Sequence, residues 1–171
     1  IQINYLNRLI KIFFSYLLKY IFSIKPRWGV AYKFTKNWDD TVLWKSSIIK
    51  NPPNRFLADP FPWYYKGKHY CFVEDFCFKE NKACISVYEV NKDGYAELGT
   101  ALKENFHLSY PFLFEYNNNL YMCPESSENK DIRLYKCVEF PLKWELEIVL
   151  MEDVEAADTN IFYKDNLFKK L

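Results

Sequence analysis

The sequence lacks several features that mark common functional classes. It has only four glycines in 171 residues and no glycine-rich phosphate loop, so nothing in it indicates a nucleotide cofactor. Its net charge is +1, and no basic stripe follows the first segment, which argues against nucleic acid as a partner. It has two histidines and no CxxC spacing among its cysteines, so we predict no metal site and no cofactor.

The cysteines indicate a reducing compartment. Their number is odd, and most lie among strand-forming residues: Cys71, Cys77, Cys84, Cys123 and Cys137. We expect reduced, mostly buried thiols. The predicted location is therefore cytoplasmic, and it is the membrane face if the basic N-terminal segment binds lipid.

What the sequence does contain is a large apolar fraction. Half of the residues are hydrophobic and a fifth are aromatic, which is typical of a packed globular domain rather than a disordered chain. The chain begins at Ile1 without Met and stops at Leu171 inside a pattern that has just restarted. We expect the natural protein to be longer.

Residues 1–26 form a segment of their own, predicted to be an amphipathic helix or linker. Polar residues recur every three or four positions, so a helix gathers them on one stripe, and Pro26 ends it. Arg8, Lys11 and Lys19 interrupt any transmembrane run, and no signal-peptide cleavage pattern is present. Two interpretations stay open: a helix lying on anionic lipid, or a helix packed on a neighbouring domain.

The rest of the chain, residues 27–171, repeats itself. Residues 58–75 align without a gap on residues 109–126, and a third start follows at 157–162. The polar turn at 66–68 matches the turn at 117–119, and both favour positive φ. Five positions are identical in the first two units: Pro60 and Pro111, Phe61 and Phe112, Tyr65 and Tyr116, Tyr70 and Tyr121, Glu74 and Glu125.

Each unit reads as four strands. The hairpin is followed by apolar runs at 84–90 and 95–102 in the first unit, and at 132–138 and 144–150 in the second. Two further strand candidates, 28–34 and 42–49, precede the first unit. Four strands in roughly 50 residues is typical of a propeller blade. We therefore predict an all-β fold made of about two and a half to three blades.

The heads of the first strands carry the chemistry. Asp59, Tyr110 and Asp158 occupy equivalent places, 51 and 48 residues apart. In a propeller the first strands line the central channel, so these side chains are expected to meet at one mouth. Two carboxylates brought together in a concave site suit the hydrolysis of a glycosidic bond.

At these motifs the sequence resembles five-bladed β-propellers of the arabinanase, β-xylosidase and invertase type. It is most similar to the glucosamine inositolphosphorylceramide transferase N-terminal-like family. Members of that family carry Ala-Asp-Pro-Phe, then Tyr-Pro-Phe-x-Phe with Met-x-Pro-Glu, then a third Ala-Asp. These runs stand here at residues 58–61, 110–114, 122–125 and 157–158.

The resemblance implies roles for the two aspartates. In the hydrolases, Asp59 corresponds to the general base and Asp158 to the residue that orients and tunes the acid. Their catalytic Glu opens a fourth blade, which this chain does not contain, and Thr159 stands where Pro is usual. In the transferase, glycosyl transfer is attributed to a separate downstream domain, so the resemblance implies carbohydrate binding more firmly than catalysis.

Further candidates surround the two aspartates. Glu74 and Glu125 end second strands, where they either bind ligand or tie one blade to the next. Asp75 beside Glu74 suits sugar hydroxyls, and Tyr110 faces the mouth in place of an aspartate. Arg55 and His107 stand near the strand starts and are expected to hydrogen-bond a ligand.

Three hypotheses of function remain. The first is a carbohydrate-binding or glycosyltransferase-associated propeller of glycan or glycolipid synthesis, whose ligand is a carbohydrate or sugar-phosphate. The second is an inverting glycoside hydrolase with Asp59 as general base, which requires carboxyl groups roughly 6.5–9.5 Å apart. The third is a non-catalytic scaffold whose N-terminal helix docks on a membrane surface or a neighbouring domain.

Overall fold

The computed structural model describes residues 7, 8, 10–14, 17, 27–40, 43–164 and 167–170. The described residues of the N-terminal segment are helical, and the rest of the helix predicted over 1–26, with its end at Pro26, lies outside the described residues. No helix within the described part of the chain is both long and apolar enough to cross a membrane. The domain boundary between residues 26 and 27 stays a prediction.

The described chain after residue 27 is built from antiparallel strands, which confirms the all-β prediction. Three short 3-10 helices, Trp38–Asp40, Leu43–Lys45 and Ser127–Asn129, interrupt them. The strands are β1 Val30–Tyr32, β2 Ser47–Ile49, β3 Arg55–Tyr65, β4 Lys68–Cys77, β5 Lys82–Val90, β6 Tyr95–Leu102, β7 Ser109–Tyr116, β8 Asn119–Ser126, β9 Asp131–Glu139, β10 Lys143–Glu152, β11 Ile161–Lys164 and β12 Leu167–Lys170.

The repeat units are four-stranded meanders, as predicted. One sheet has the order β3-β4-β5-β6 and the next has the order β7-β8-β9-β10. The third start forms the hairpin β11-β12, while β1 and β2 make a two-stranded sheet of their own. Strands β1 and β2 are shorter than the predicted runs 28–34 and 42–49. Val30 and Ile49 are their fully buried positions, and the pairing extends from this pair only as far as Tyr32 and Ser47.

The two hairpin turns have the predicted left-handed backbone. Lys66 and Gly67 have φ of 47° and 83°, and Asn117 and Asn118 have φ of 49° and 60°. Positive φ at both central residues defines a type I′ turn, whose twist matches that of the flanking strands. The turn therefore fixes the hairpin register in which Tyr65 faces Lys68 and Tyr116 faces Asn119.

Apolar clusters lie between successive sheets and hold them face to face in chain order. The largest joins the first four-stranded sheet to the second and includes Phe72, Ile85, Leu108, Met122 and Tyr135. A smaller cluster joins the β1-β2 sheet to the first meander, and a third joins the second meander to the chain around Ile161. Burying each large side chain contributes about 1.5–3 kcal/mol, so this packing is the main source of cohesion between the sheets.

Cys71 packs as an apolar side chain in one of these clusters. Cys71 is 5% exposed within the cluster under the β1-β2 sheet. Burial raises the pKa of its thiol to about 12, so the group stays protonated and packs as a small apolar side chain.

The first hairpin turn offers a test of the fold. Replacing Gly67 by Ala adds a Cβ that meets no atom within 4 Å, so its cost comes from the backbone alone. A left-handed Ala costs about 1–2 kcal/mol, and urea unfolding should show a loss of that size. Gly29→Ala is the control, because its Cβ also meets nothing and its backbone is not left-handed. Equal stability of the two variants would contradict the turn assignment.

Candidate functional site

The three residues predicted at the heads of the first strands, which keep the name strand heads, share an unusual backbone. Asp59 lies inside β3, Tyr110 is the second residue of β7, and Asp158 precedes β11. Asp59, Tyr110 and Asp158 have φ of 45°, 43° and 48°, values that non-glycine residues seldom adopt. In β3 and β7 the head and the proline after it stand opposite a single residue of the next strand, which is the geometry of a β-bulge. Proline lacks the N–H needed for strand pairing, so Pro60 and Pro111 favour a bulge here.

Hydrogen bonds connect each head to a neighbouring unit. The Tyr110 N–H donates to Asp59 Oδ2 at 3.3 Å, and the Asp158 N–H donates to Glu125 Oε2 at 3.1 Å. The Tyr110 hydroxyl donates to Asn160 Oδ1 at 3.2 Å. The three sequence-predicted heads are therefore brought into one contiguous group.

The carboxylates that end the second strands join this group. Glu74 is 8% exposed, and one of its oxygens lies 3.3 Å from His107 Nε2. The hydrogen bond to Glu74 raises the pKa of His107, and burial opposes this shift. Glu125 also accepts a hydrogen bond from the Ser127 hydroxyl at 2.8 Å. Both glutamates thus contact residues at or near the start of a following strand.

The electrostatics of Asp59 follow from this crowding. Burial raises the pKa of its carboxyl, the charge of Glu74 raises it further, and the Tyr110 N–H opposes both. Asp158 and Glu125 also act on it in the raising direction. Carboxylates grouped in this way can accept hydrogen bonds from the hydroxyl or ammonium groups of a ligand.

Two other predicted residues do not join the heads. Arg55 is the first residue of β3, and its guanidinium contacts Asp75 Oδ2 at 2.9 Å and Glu97 Oε1 at 3.0 Å. Asp75 is 1% exposed and also accepts a hydrogen bond from the Ser86 hydroxyl. Side chains alternate along a strand, so Asp75 points to the face of β4 opposite to Glu74. The pair makes its contacts within the β3–β6 sheet, on the side of β4 opposite to Glu74.

Sequence reasoning missed the polar side chains that complete the group. Asn160 accepts a hydrogen bond from the Tyr110 hydroxyl, and the Ser127 hydroxyl donates to Glu125. The Glu128 carboxylate accepts from the backbone N–H of His107. Thr159 takes the place of the proline in the third unit and is 2% exposed. The Tyr110–Asn160 contact joins two units, and the alignment of one unit on another does not display such contacts.

No metal site accompanies these acids in the described residues. No set of three or more His, Cys, Asp or Glu side chains among them is arranged to hold an ion.

Comparison with known proteins gives one family. The family described as glucosamine inositolphosphorylceramide transferase 1, N-terminal, matches residues 37–169. Proteins named glucosamine inositolphosphorylceramide transferase 1 are 38% identical in Oryza sativa subsp. indica and 36% identical in Arabidopsis thaliana, each over 118 residues. These alignments cover 68% of this chain but only 16% and 15% of the two relatives. No solved structure matches.

The Glu74–His107 contact should make stability depend on pH. Because the pKa of His107 is raised above its ordinary 6.5, the contact stabilises the fold fully below that pH. This stabilisation should be lost as the pH rises through the raised value. Urea unfolding midpoints of the full-length protein, measured from about pH 6 to pH 9, should fall over this window.

The matched control is His107→Gln, which keeps a polar side chain but does not titrate. Its unfolding midpoint should be flat over the same window once other titrations are subtracted. A slope equal to that of the unsubstituted protein would show that another group is responsible.

Proposed function

Because the chain belongs to the family of the N-terminal region of glucosamine inositolphosphorylceramide transferase 1, we propose that it is a carbohydrate-binding domain associated with a glycosyltransferase of glycolipid synthesis. The observation that carries the proposal is the group of strand heads at Asp59, Tyr110 and Asp158. They share one backbone conformation and are connected by hydrogen bonds from unit to unit. A binding site built from equivalent positions of a repeat is the arrangement that a sugar ring with several hydroxyls can use.

The finer architecture that we propose is a five-bladed propeller, with the two meanders as blades. The support is that sheets of equal topology stack in chain order, and that their first strands, β3 and β7, lie beside each other. In this proposal the heads face the central channel, and β1 and β2 are the outer strands of a closing blade. The relation to the propeller hydrolases is part of the same proposal.

The chemistry of the site favours hydroxyl or ammonium donors on the ligand. Asp59, Glu74, Glu125 and Asp158 all supply acceptor oxygens, and His107 is already paired with Glu74. The relatives are named for a glucosamine-containing sphingolipid, which combines sugar hydroxyls with an amino group. We therefore propose a neutral sugar or an amino sugar as the bound group. The Arg55–Asp75 pair is proposed to stabilise the first sheet.

Inverting hydrolysis is a second candidate, and one observation favours it. The raised pKa of Asp59 makes this carboxylate a better proton acceptor at neutral pH than an ordinary aspartate. In that reaction Asp59 takes a proton from water, and the water oxygen attacks the anomeric carbon. The leaving oxygen takes its proton from an acid outside this chain, and Asp158 tunes that acid.

The cytoplasmic location also stays a proposal, which the buried thiol of Cys71 supports.

Substitution of Asp59 tests the binding proposal. Asp59→Asn in the full-length protein should weaken binding of glucosamine, or of inositolphosphorylceramide in detergent, about 10- to 100-fold, because it removes a charged acceptor. Isothermal titration calorimetry measures the change. Asp93→Asn, in the exposed β5–β6 turn, is the matched control and should bind like the unsubstituted protein. Equal affinity in the two variants would remove Asp59 from the site.

Affinity and sugar release, measured together on Asp158→Asn, Asp59→Asn and the unsubstituted protein, distinguish binding from hydrolysis. If the site only binds sugar, this variant should lose affinity to about the same degree as Asp59→Asn, and no reducing sugar should be released in either protein. If the site hydrolyses glycosides, the unsubstituted protein should release a sugar of inverted configuration, detectable by NMR, and Asp59→Asn should abolish the release. A protein that binds none of these sugars would favour the scaffold hypothesis.

A further inference from the structure

The N-terminal part of the chain has charge of one sign. Its first 38 residues carry seven basic side chains and no acidic one, and the first acidic residue is Asp39. The remaining residues carry 16 basic and 22 acidic side chains. The positive charge of this nearly neutral protein is therefore concentrated at one end of the sequence, at Arg8, Lys11, Lys19, Lys25, Arg27, Lys33 and Lys36.

The same region exposes apolar side chains on a helix. Ile10, Phe13, Phe14 and Leu17 are 45%, 64%, 55% and 37% exposed. Their spacing of three, one and three residues places them on one face of a helix with 3.6 residues per turn. Lys11 lies on the flank of that face. An exposed apolar face bordered by basic residues is typical of helices that lie in a membrane interface.

Exposed apolar side chains also occur in the chain after the helix. Trp28 is 70% exposed beside Arg27, and Trp44 is 84% exposed beside Lys45. Ile48 is 66% exposed, because its neighbour Ile49 takes the buried face of β2. Indole rings favour the level of the lipid headgroups, where their apolar ring and N–H are both accommodated. The β1–β2 sheet and the residues that flank it therefore carry the same combination of exposed apolar and basic side chains as the helix.

We propose that the helical segment together with Trp28 binds an anionic membrane surface. Charge complementarity selects this occupant: anionic lipid attracts the seven basic side chains and repels the acidic remainder of the chain. The apolar face of the helix supplies the second signal that stable interfacial binding requires. The proposal does not depend on the proposed function.

Vesicle binding of the full-length protein tests it. The probes are vesicles of phosphatidylcholine with about 30% phosphatidylglycerol, and vesicles of phosphatidylcholine alone. Co-sedimentation should give at least about tenfold tighter binding to the anionic vesicles, and raising the salt to about 0.5 M should reduce the difference. Arg8→Gln with Lys11→Gln should lower anionic binding about tenfold or more. Phe13→Ser with Phe14→Ser should lower binding to both kinds of vesicle.

The matched control is Tyr64→Ser, which removes an aromatic side chain of similar exposure from β3. It should bind vesicles like the unsubstituted protein. A second measurement follows Trp28 directly: brominated lipid should quench tryptophan fluorescence, and Trp28→Phe should lose part of that quenching.

Two outcomes would overturn the proposal. The first is vesicle binding that none of the helix variants changes. The second is unchanged vesicle binding combined with a lower unfolding temperature in the Phe13/Phe14 variant, which would mean that the apolar face packs on protein instead of lipid.

Discussion

The arrangement of the candidate site depends on one backbone constraint, the left-handed residue at the head of each first strand. Asp59, Tyr110 and Asp158 hold φ between 43° and 48°, a conformation that costs a non-glycine residue about 1–2 kcal/mol. Such a conformation persists only where the surroundings impose it. At Asp59 and Tyr110 the bulge and the following proline keep the head out of the strand ladder, so the Tyr110 N–H and the Asp59 side chain meet between units.

Different interactions hold the sheets together and fix the positions of the strand heads. The apolar clusters between sheets supply most of the free energy that holds successive units together, since they bury large side chains such as Phe72 and Met122 completely. Apolar packing has little directional preference, so it does not by itself fix how the strand heads are oriented. The hydrogen bonds from Tyr110 to Asp59 and from Asp158 to Glu125 are directional, and they define the relative positions of the heads.

The sequence predicts the features that depend on neighbouring residues better than those that depend on contacts between distant residues. The hairpins and their positive-φ turns depend on neighbouring residues, and the sequence predicts them well. The bulge was not predicted, although Pro60 and Pro111 in identical places are a local signal for it. Asp75 was grouped with the mouth because it follows Glu74, yet alternation along β4 sends it to the opposite face and into contact with Arg55. Contacts between units, such as that of Asn160, depend on how the sheets pack and leave no trace in one unit.

Glu74 and Glu125 occupy the same place in their units but make different contacts. Three residues before the second head stands His107, which pairs with Glu74, and the Tyr110 N–H donates to Asp59. Three residues before the third head stands Glu155, which pairs with Lys130. Glu125 accepts from the Asp158 N–H directly. The two glutamates therefore hold different groups, a histidine side chain in one case and the N–H of a strand head in the other. Asp59 Oδ2 is likewise engaged by the Tyr110 N–H, so the contacts between units differ even where the aligned residues are identical.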